Sequence, residues 1–305
     1  MTTVGSDEAA AQGDGPQDPE SSAQQARSPQ QAERSSRAGR DLPAAIGVGV
    51  ALGAAILVAL FTVRFVFIGI VAAAVALGTV EFGRAVRTAA GFRVALVPVL
   101  LGGQAMIWLS WPYGLRGVLV AFVLTVLTCL LWRLPAGADN YLRDVGLSVF
   151  LAAYLPLFAS FAAMLVPAAD GTGRVLVFMI GVVASDTGGY AAGILGGKHP
   201  MAPSISPKKT WEGFSGSMLA GVVGGALALH FLLGGQYWHG VLFGAVIVIV
   251  ASIGDLFESL VKRDLGIKDM GNLLPGHGGM MDRLDSLLPA AVASWLMLSV
   301  LVPVT

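Results

Sequence analysis

Residues 240–285 read GVLFGAVIVIVASIGDLFESLVKRDLGIKDMGNLLPGHGGMMDRLD. The first part, 240–258, is apolar but for Asp255 and Glu258 at its end, and it is long enough as a helix to cross a hydrocarbon core of roughly 30 Å. The second part reverses that character. Between Ser259 and Asp285 stand Lys262, Arg263, Asp264, Lys268, Asp269, His277, Asp282, Arg283 and Asp285. In a chain that is 55% hydrophobic and 12% charged, so dense a polar segment between two apolar runs has a function to explain it. Cations, carboxylates, a histidine and a Pro-Gly-His-Gly-Gly turn at a membrane surface suit a divalent metal and a phosphorylated ligand.

Apolar runs like 240–258 recur on both sides. The mean hydropathy is +0.74, and candidate spans fall at 43–63, 65–82, 94–110, 115–132, 145–166, 174–195, 213–234, 240–258 and 284–303. The expected fold is an all-α polytopic membrane protein with about nine transmembrane helices. A soluble helical core does not place so many long uncharged runs in series.

Charge placement orients these spans. With the N-terminus inside, the inner segments hold Arg27, Arg34, Arg37, Arg40, Arg84, Arg87, Arg93, Arg133, Arg143, Lys198, Lys208, Lys209, Lys262, Arg263, Lys268 and Arg283. The outer loops hold only Arg64, Arg116 and Arg174. That bias is the positive-inside pattern of a cell inner (plasma) membrane protein. It puts loops 196–212 and 259–283 on the cytoplasmic side, within reach of soluble nucleotides. If one weak span is re-entrant, the N-terminus changes side but the two loops still share one.

Three regions follow. Residues 1–41 are rich in Gln, Ser, Ala, Gly and Pro without apolar periodicity, and are expected to be a disordered cytoplasmic tail rather than a signal peptide. Residues 42–175 are N-terminal transmembrane helices for packing and lipid access. Residues 176–305 are a catalytic transmembrane region carrying the two loops. The single Cys129 excludes an internal disulfide and a cysteine-built metal site. Zero formal net charge, with no basic stripe, argues against nucleic acid as a partner.

Several residues stand out before any family is considered. Asp186, about ten residues into the 174–195 helix, sits roughly 15 Å deep, where a carboxylate needs a polar cavity or a partner. Ser185, Thr187 and Tyr190 surround it; the plainer alternative is a hydrogen-bonded helix contact. The segment 204–213, SISPKKTWEG, sets Lys208 and Lys209 before a helix that Thr210 can cap. Helix N-termini with lysines beside them bind phosphate, although lysines there also serve as membrane anchors. Gly213, Ser217, Gly221 and Gly225, at four-residue steps, make a small-residue stripe for helix packing. Asp255 and Glu258, three apart, share a helix face, as do Asp282 and Asp285. Asp255 and Asp282 end and open two spans and can converge on one ion; an all-oxygen set suits Mg2+. Simple pairing of these carboxylates with Lys262, Arg263 and Arg283 is the alternative. Around His277, the glycines Gly278 and Gly279 permit close backbone approach to phosphate.

The run Ser259, Lys262-Arg263, Lys268-Asp269, Pro275-Gly276-His277-Gly278-Gly279, Asp282-Arg283-Leu284-Asp285 resembles the signature of the phosphatidate cytidylyltransferases, the CDP-diacylglycerol synthases. The segment from Ser206 to Gly213 resembles a second motif of that family. The resemblance covers roughly residues 180–290. It implies transfer of CMP from CTP to phosphatidic acid in the bilayer, with Mg2+ as cofactor. Carried onto this sequence, it implies Asp255 and Asp282 as metal ligands, with Asp186 and Asp285 as further ligands or supports. It implies Lys208, Lys209, Lys262, Arg263 and Lys268 as a phosphate clamp and Arg283 on the lipid phosphate. It implies His277 as a further catalytic residue, with Ser206, Thr210, Gly278 and Gly279 binding the ligand. A homodimer is left open. Two rivals are a CTP-dependent lipid-alcohol kinase, against which the intact signature argues, and an ion-coupled transporter, whose paired repeats have no counterpart here.

Overall fold

The computed structural model describes residues 42–271 and 279–303, and of residues 42–50 and 52 only the backbone. The described chain is a bundle of helices, most of them long: α1 Leu42–Thr62, α2 Arg64–Ala90, α3 Leu96–Arg133, α4 Tyr141–Ala152, α5 Phe158–Met164, α6 Gly171–Gly196, α7 Trp211–Leu233, α8 Tyr237–Asp264, α9 Met281–Leu284 and α10 Leu287–Leu301. In lipid each backbone group must find its partner within the segment, so apolar runs of this length become helices. The protein is an all-α polytopic membrane protein. Among the described residues, seven helical stretches are long and apolar enough to cross a bilayer.

The expected nine differ from these seven at α1 and at α3. Pro112 lacks an amide hydrogen, and Gly114 takes φ 53° and ψ −140°, which breaks α3 inside its length. A Cβ on Gly102 would lie 1.9 Å from Thr125 Oγ1. In a straight helix those two residues stand about 35 Å apart, so the arms of α3 fold back on each other.

Between α4 and α5 the backbone widens into one π-helical turn, Ala153–Leu157, around Pro156. That turn carries Tyr154 into a cluster with Phe150, Phe158 and Phe257, with ring centroids 5.6, 5.9 and 5.0 Å away. The expected loop 196–212 contains an antiparallel hairpin, β1 Pro200–Ala202 and β2 Ser206–Thr210, in which Pro200 faces Thr210 and Ala202 faces Ser206.

Polar side chains mark two ends of the bundle. At one, Arg64 donates to Ala168 O at 3.1 Å, and the buried Arg174 binds Asp170 at 2.7 Å and Leu298 O at 3.1 Å. At the other, buried Asp144 takes Arg133 at 2.6 Å and the Arg93 amide at 3.2 Å. Helix directions put the hairpin and Asp282 at this second end. One apolar core cluster joins Leu60 and Phe67 to Phe178, Phe243 and Ala290, so packing runs across the 175/176 boundary.

The stripe on α7 is buried as packing. Ser217 Oγ donates to Ser185 O at 2.7 Å on α6. A Cβ on Gly225 would lie 2.6 Å from Gly240 O and 2.9 Å from Gly244 Cα on α8. Backbone contact on both sides makes α6, α7 and α8 a tight triplet.

Candidate active site

The triplet sets the hairpin against the ends of α6 and α8. Thr210 caps α7, its hydroxyl accepting the Gly213 amide at 3.1 Å. The Trp211 amide is held by His199 O at 3.0 Å. Glu212 binds the Lys198 and His199 amides, each at 3.2 Å, and His199 Nδ1 at 2.5 Å. These contacts tie both ends of the hairpin down and occupy amides of the first turn of α7. The lysines are therefore the donors β2 offers to an anion. Lys208, Lys209 and Thr210 line a pocket of about 200 Å³ with Asp186, Ser217 and Asp255. Lys209 Nζ lies 2.8 Å from Asp255 Oδ2, and Asp186 is within electrostatic reach of Asp255, Lys209 and Arg283.

A second charged cluster adjoins the first. Asp255, Glu258 and Lys262 follow one face of α8 at helical spacing. A Cβ on Gly254 would meet Asp285 O at 2.4 Å; the missing side chain lets the start of α10 rest on α8. Lys262 Nζ bridges Glu258 and Asp282, the latter at 2.8 Å. Asp282 Oδ2 accepts the amides of Met270 at 3.1 Å and Gly279 at 2.9 Å. Asp285 stands between the clusters, within reach of both Asp255 and Glu258, and its Oδ1 accepts the Ser286 amide at 2.7 Å.

The carboxylates thus come as two neighbouring groups, each already facing a lysine. Among the described residues no three acidic or imidazole side chains gather tightly enough to complete an ion site unaided. The donor set still fits Mg2+. All its members are carboxylate oxygens, and the buried Glu258 lies within hydrogen-bond reach of Asp285, a juxtaposition of acidic groups that a cation beside them would relieve. Water and phosphate oxygens would fill the rest of the shell.

Arg283 faces a different space. It lines a cavity of about 300 Å³ with Ile56, Phe67, Phe178, Leu287 and Ala291, apolar side chains from α1, α2, α6 and α10. It is also within electrostatic reach of Asp186 in the charged pocket.

The other expected residues lie at the margin. Ser206 opens β2, and its side chain is half-buried. Arg263 Nε reaches Ile205 O at 3.4 Å, and Lys268 is exposed on the turn after α8; neither lines the pocket. His277 and Gly278 lie outside the described residues, whereas Gly279 is buried. Sequence reasoning passed over Glu81 on α2, whose Oε2 accepts the Met281 amide at 3.0 Å. It also passed over Tyr154, whose buried hydroxyl has no partner among the described residues. A lone acidic residue inside the apolar run 65–82 was the available signal for Glu81.

A family model described as the cytidylyltransferase family matches residues 43–301. A protein named phosphatidate cytidylyltransferase from Mycobacterium bovis is 50% identical over 285 residues, covering 89% of this chain and 93% of that protein. One of the same name from Mycobacterium leprae is 49% identical over 288 residues, covering 89% and 92%. One from Helicobacter pylori is 46% identical over 123 residues, covering 40% of this chain and 46% of that protein. With the model running from α1 to the end of α10, the chain belongs to the cytidylyltransferase family.

Proposed function

We propose that the protein is a phosphatidate cytidylyltransferase, transferring CMP from CTP to phosphatidic acid and giving CDP-diacylglycerol and pyrophosphate. The observation that carries this reading is near-full-length identity of about 50% to bacterial proteins of that name. The geometry supports it: Lys208 and Lys209 line a polar pocket, Arg283 lines an apolar cavity, and Arg283 lies within electrostatic reach of Asp186 in the pocket wall. A nucleotide and a lipid need just such neighbouring spaces.

In the proposed reaction an ionised phosphate oxygen of the lipid attacks the α-phosphorus of CTP. The bond from that phosphorus to the bridging oxygen breaks, and its electron pair leaves on pyrophosphate. The nucleophile is already charged, so the protein needs no nucleophile of its own. Its work is to hold two anions together and stabilise charge on the leaving group. Lys208 and Lys209 hold the CTP phosphates from β2. Arg283 holds the lipid phosphate, while an acyl chain lies along the apolar cavity. Arg263 and Lys268, exposed near the rim, draw the nucleotide in. Asp255 and Asp282, with Asp186 and Asp285 beside them, would hold Mg2+. When bound, the ion supplies positive charge to the phosphates during transfer.

The purified protein with labelled CTP, phosphatidic acid and Mg2+ should yield CDP-diacylglycerol and pyrophosphate, and chelation should stop the reaction. Release of CDP with a newly phosphorylated lipid would instead favour the lipid-alcohol kinase reading.

The proposed setting is the cell inner membrane, crossed nine times, with α1 and both arms of α3 each counted as a crossing and the site facing the cytoplasm. Cysteines placed at Ser204 and Lys268 in a Cys129→Ser background should label only from the cytoplasmic side, and one at Gln236 only from outside. Labelling of 204 and 268 from opposite faces would break the composite site apart.

A further inference from the structure

Glu81 sits on α2, in the half of the chain to which the sequence signature assigns no chemistry, yet it reaches the signature segment. Its side chain is buried at 8% exposure. Oε2 accepts the amide of Met281, the residue before Asp282, across 200 positions of sequence. A methyl group on Gly271 would lie 2.6 Å from Glu81 Oε1 and 2.7 Å from its Cδ. One on Gly279 would lie 2.8 Å from Glu81 Oε2 and 2.9 Å from Asp282 Oδ2. The carboxylate is therefore wedged between two glycines that leave it room, directly behind Asp282. Its Oε1 has no hydrogen-bond partner among the described residues. A buried carboxylate with one oxygen so placed is costly to keep unless its position serves something.

We propose that Glu81 is a positioning residue of the site: through the Met281 amide and its seat between Gly271 and Gly279, it fixes the turn that aims the Asp282 carboxylate. The chain of contacts is short. Glu81 holds Met281; Met281 is bonded to Asp282; Asp282 takes the Met270 and Gly279 amides and Lys262. Without Glu81 the turn loses its anchor to α2, and Asp282 loses its fixed direction while keeping its charge. The proposal rests on the cytidylyltransferase reading, in which Asp282 is a metal ligand. Removing a group that orients a ligand lowers metal affinity by about 10–100-fold.

The test compares Glu81→Ala, Glu81→Gln and wild type in two ways: Mg2+ binding without substrates, read as the rise of the thermal midpoint with Mg2+ concentration, and Mg2+ dependence of the rate with CTP and phosphatidic acid; the same shift is expected in both. Glu81→Ala should raise the Mg2+ concentration for half-maximal rate about tenfold or more, leaving KM for the lipid unchanged. Glu81→Gln keeps an oxygen for the Met281 amide and should return the Mg2+ requirement to within about threefold of wild type. A merely structural role would reduce the amount of active protein and leave the Mg2+ curve in place. An unshifted curve for Glu81→Ala, or a Glu81→Gln variant as impaired as the Ala variant, overturns the proposal. Should Glu81→Ala fail to fold, Gly271→Ala replaces it, since that methyl presses on the Glu81 carboxylate; the same Mg2+ shift is expected, and an unshifted curve again overturns it. A wild-type protein that makes no CDP-diacylglycerol would defeat the functional reading instead, a result separable from the variants.

Discussion

Asp255→Asn should lower turnover per folded molecule by about 10²-fold or more, a barrier increase of roughly 2.7 kcal/mol. The substitution keeps size and removes charge. If Asp255 holds Mg2+ against the phosphates of CTP, that charge cannot be spared. Stability should barely change. The only ion pair described for Asp255 is with Lys209, and both side chains are partly open to solvent, at 31% and 25% exposure. Such pairs contribute about 0–1 kcal/mol. Asp282→Asn should lose comparable activity but also stability, because its side chain is 9% exposed and accepts two backbone amides as well as Lys262. An asparagine must turn its NH2 toward one of those donors. The double variant should lose less activity than the two single losses combined, since groups acting on one ion fail as a unit. Turnover normalised to folded protein, measured beside the thermal midpoint, separates these effects. Near-wild-type turnover of Asp255→Asn would remove it from the ligand set.

That contrast between two aspartates shows where sequence reasoning reached and where it stopped. Helical spacing gave the shared face of Asp255 and Glu258, the cap at Thr210 and the packing stripe on α7, because each depends on neighbours within one element. The break in α3 was legible as two apolar runs, 94–110 and 115–132, and Pro112 and Gly114 between them disfavour an unbroken helix. The hairpin was not legible. Pro200 and Pro207 argue against strands, and two short strands of this kind tolerate proline only at an edge. Long-range pairing was also out of reach. Nothing in residue spacing says that Lys209 meets Asp255 46 positions away, or that Glu81 meets Met281. Lys262 is the sharpest case. The signature marks it as a cation near phosphate, while the structure shows its ammonium already shared by two carboxylates.

Lys262→Met should therefore destabilise the protein as well as slow it. The Lys262 side chain is 16% exposed, and it bridges Glu258 at 1% and Asp282 at 9%. Methionine keeps much of the stem and deletes the ammonium. Two buried carboxylates would then face each other, with Asp285 close by and no cation between them. Breaking a buried pair from one side costs about 3–5 kcal/mol, because the remaining charge is uncompensated. Neutralising the more buried partner should relieve this, so Lys262→Met combined with Glu258→Gln should be more stable than Lys262→Met alone. A pure phosphate contact makes the opposite forecast: an unchanged thermal midpoint, a raised KM for CTP, and no relief from Glu258→Gln. Thermal unfolding of the single and double variants in detergent, beside KM for CTP, decides between strut and clamp. An unaltered midpoint for Lys262→Met would return this lysine to the phosphates and leave Asp282 to be held by backbone amides alone.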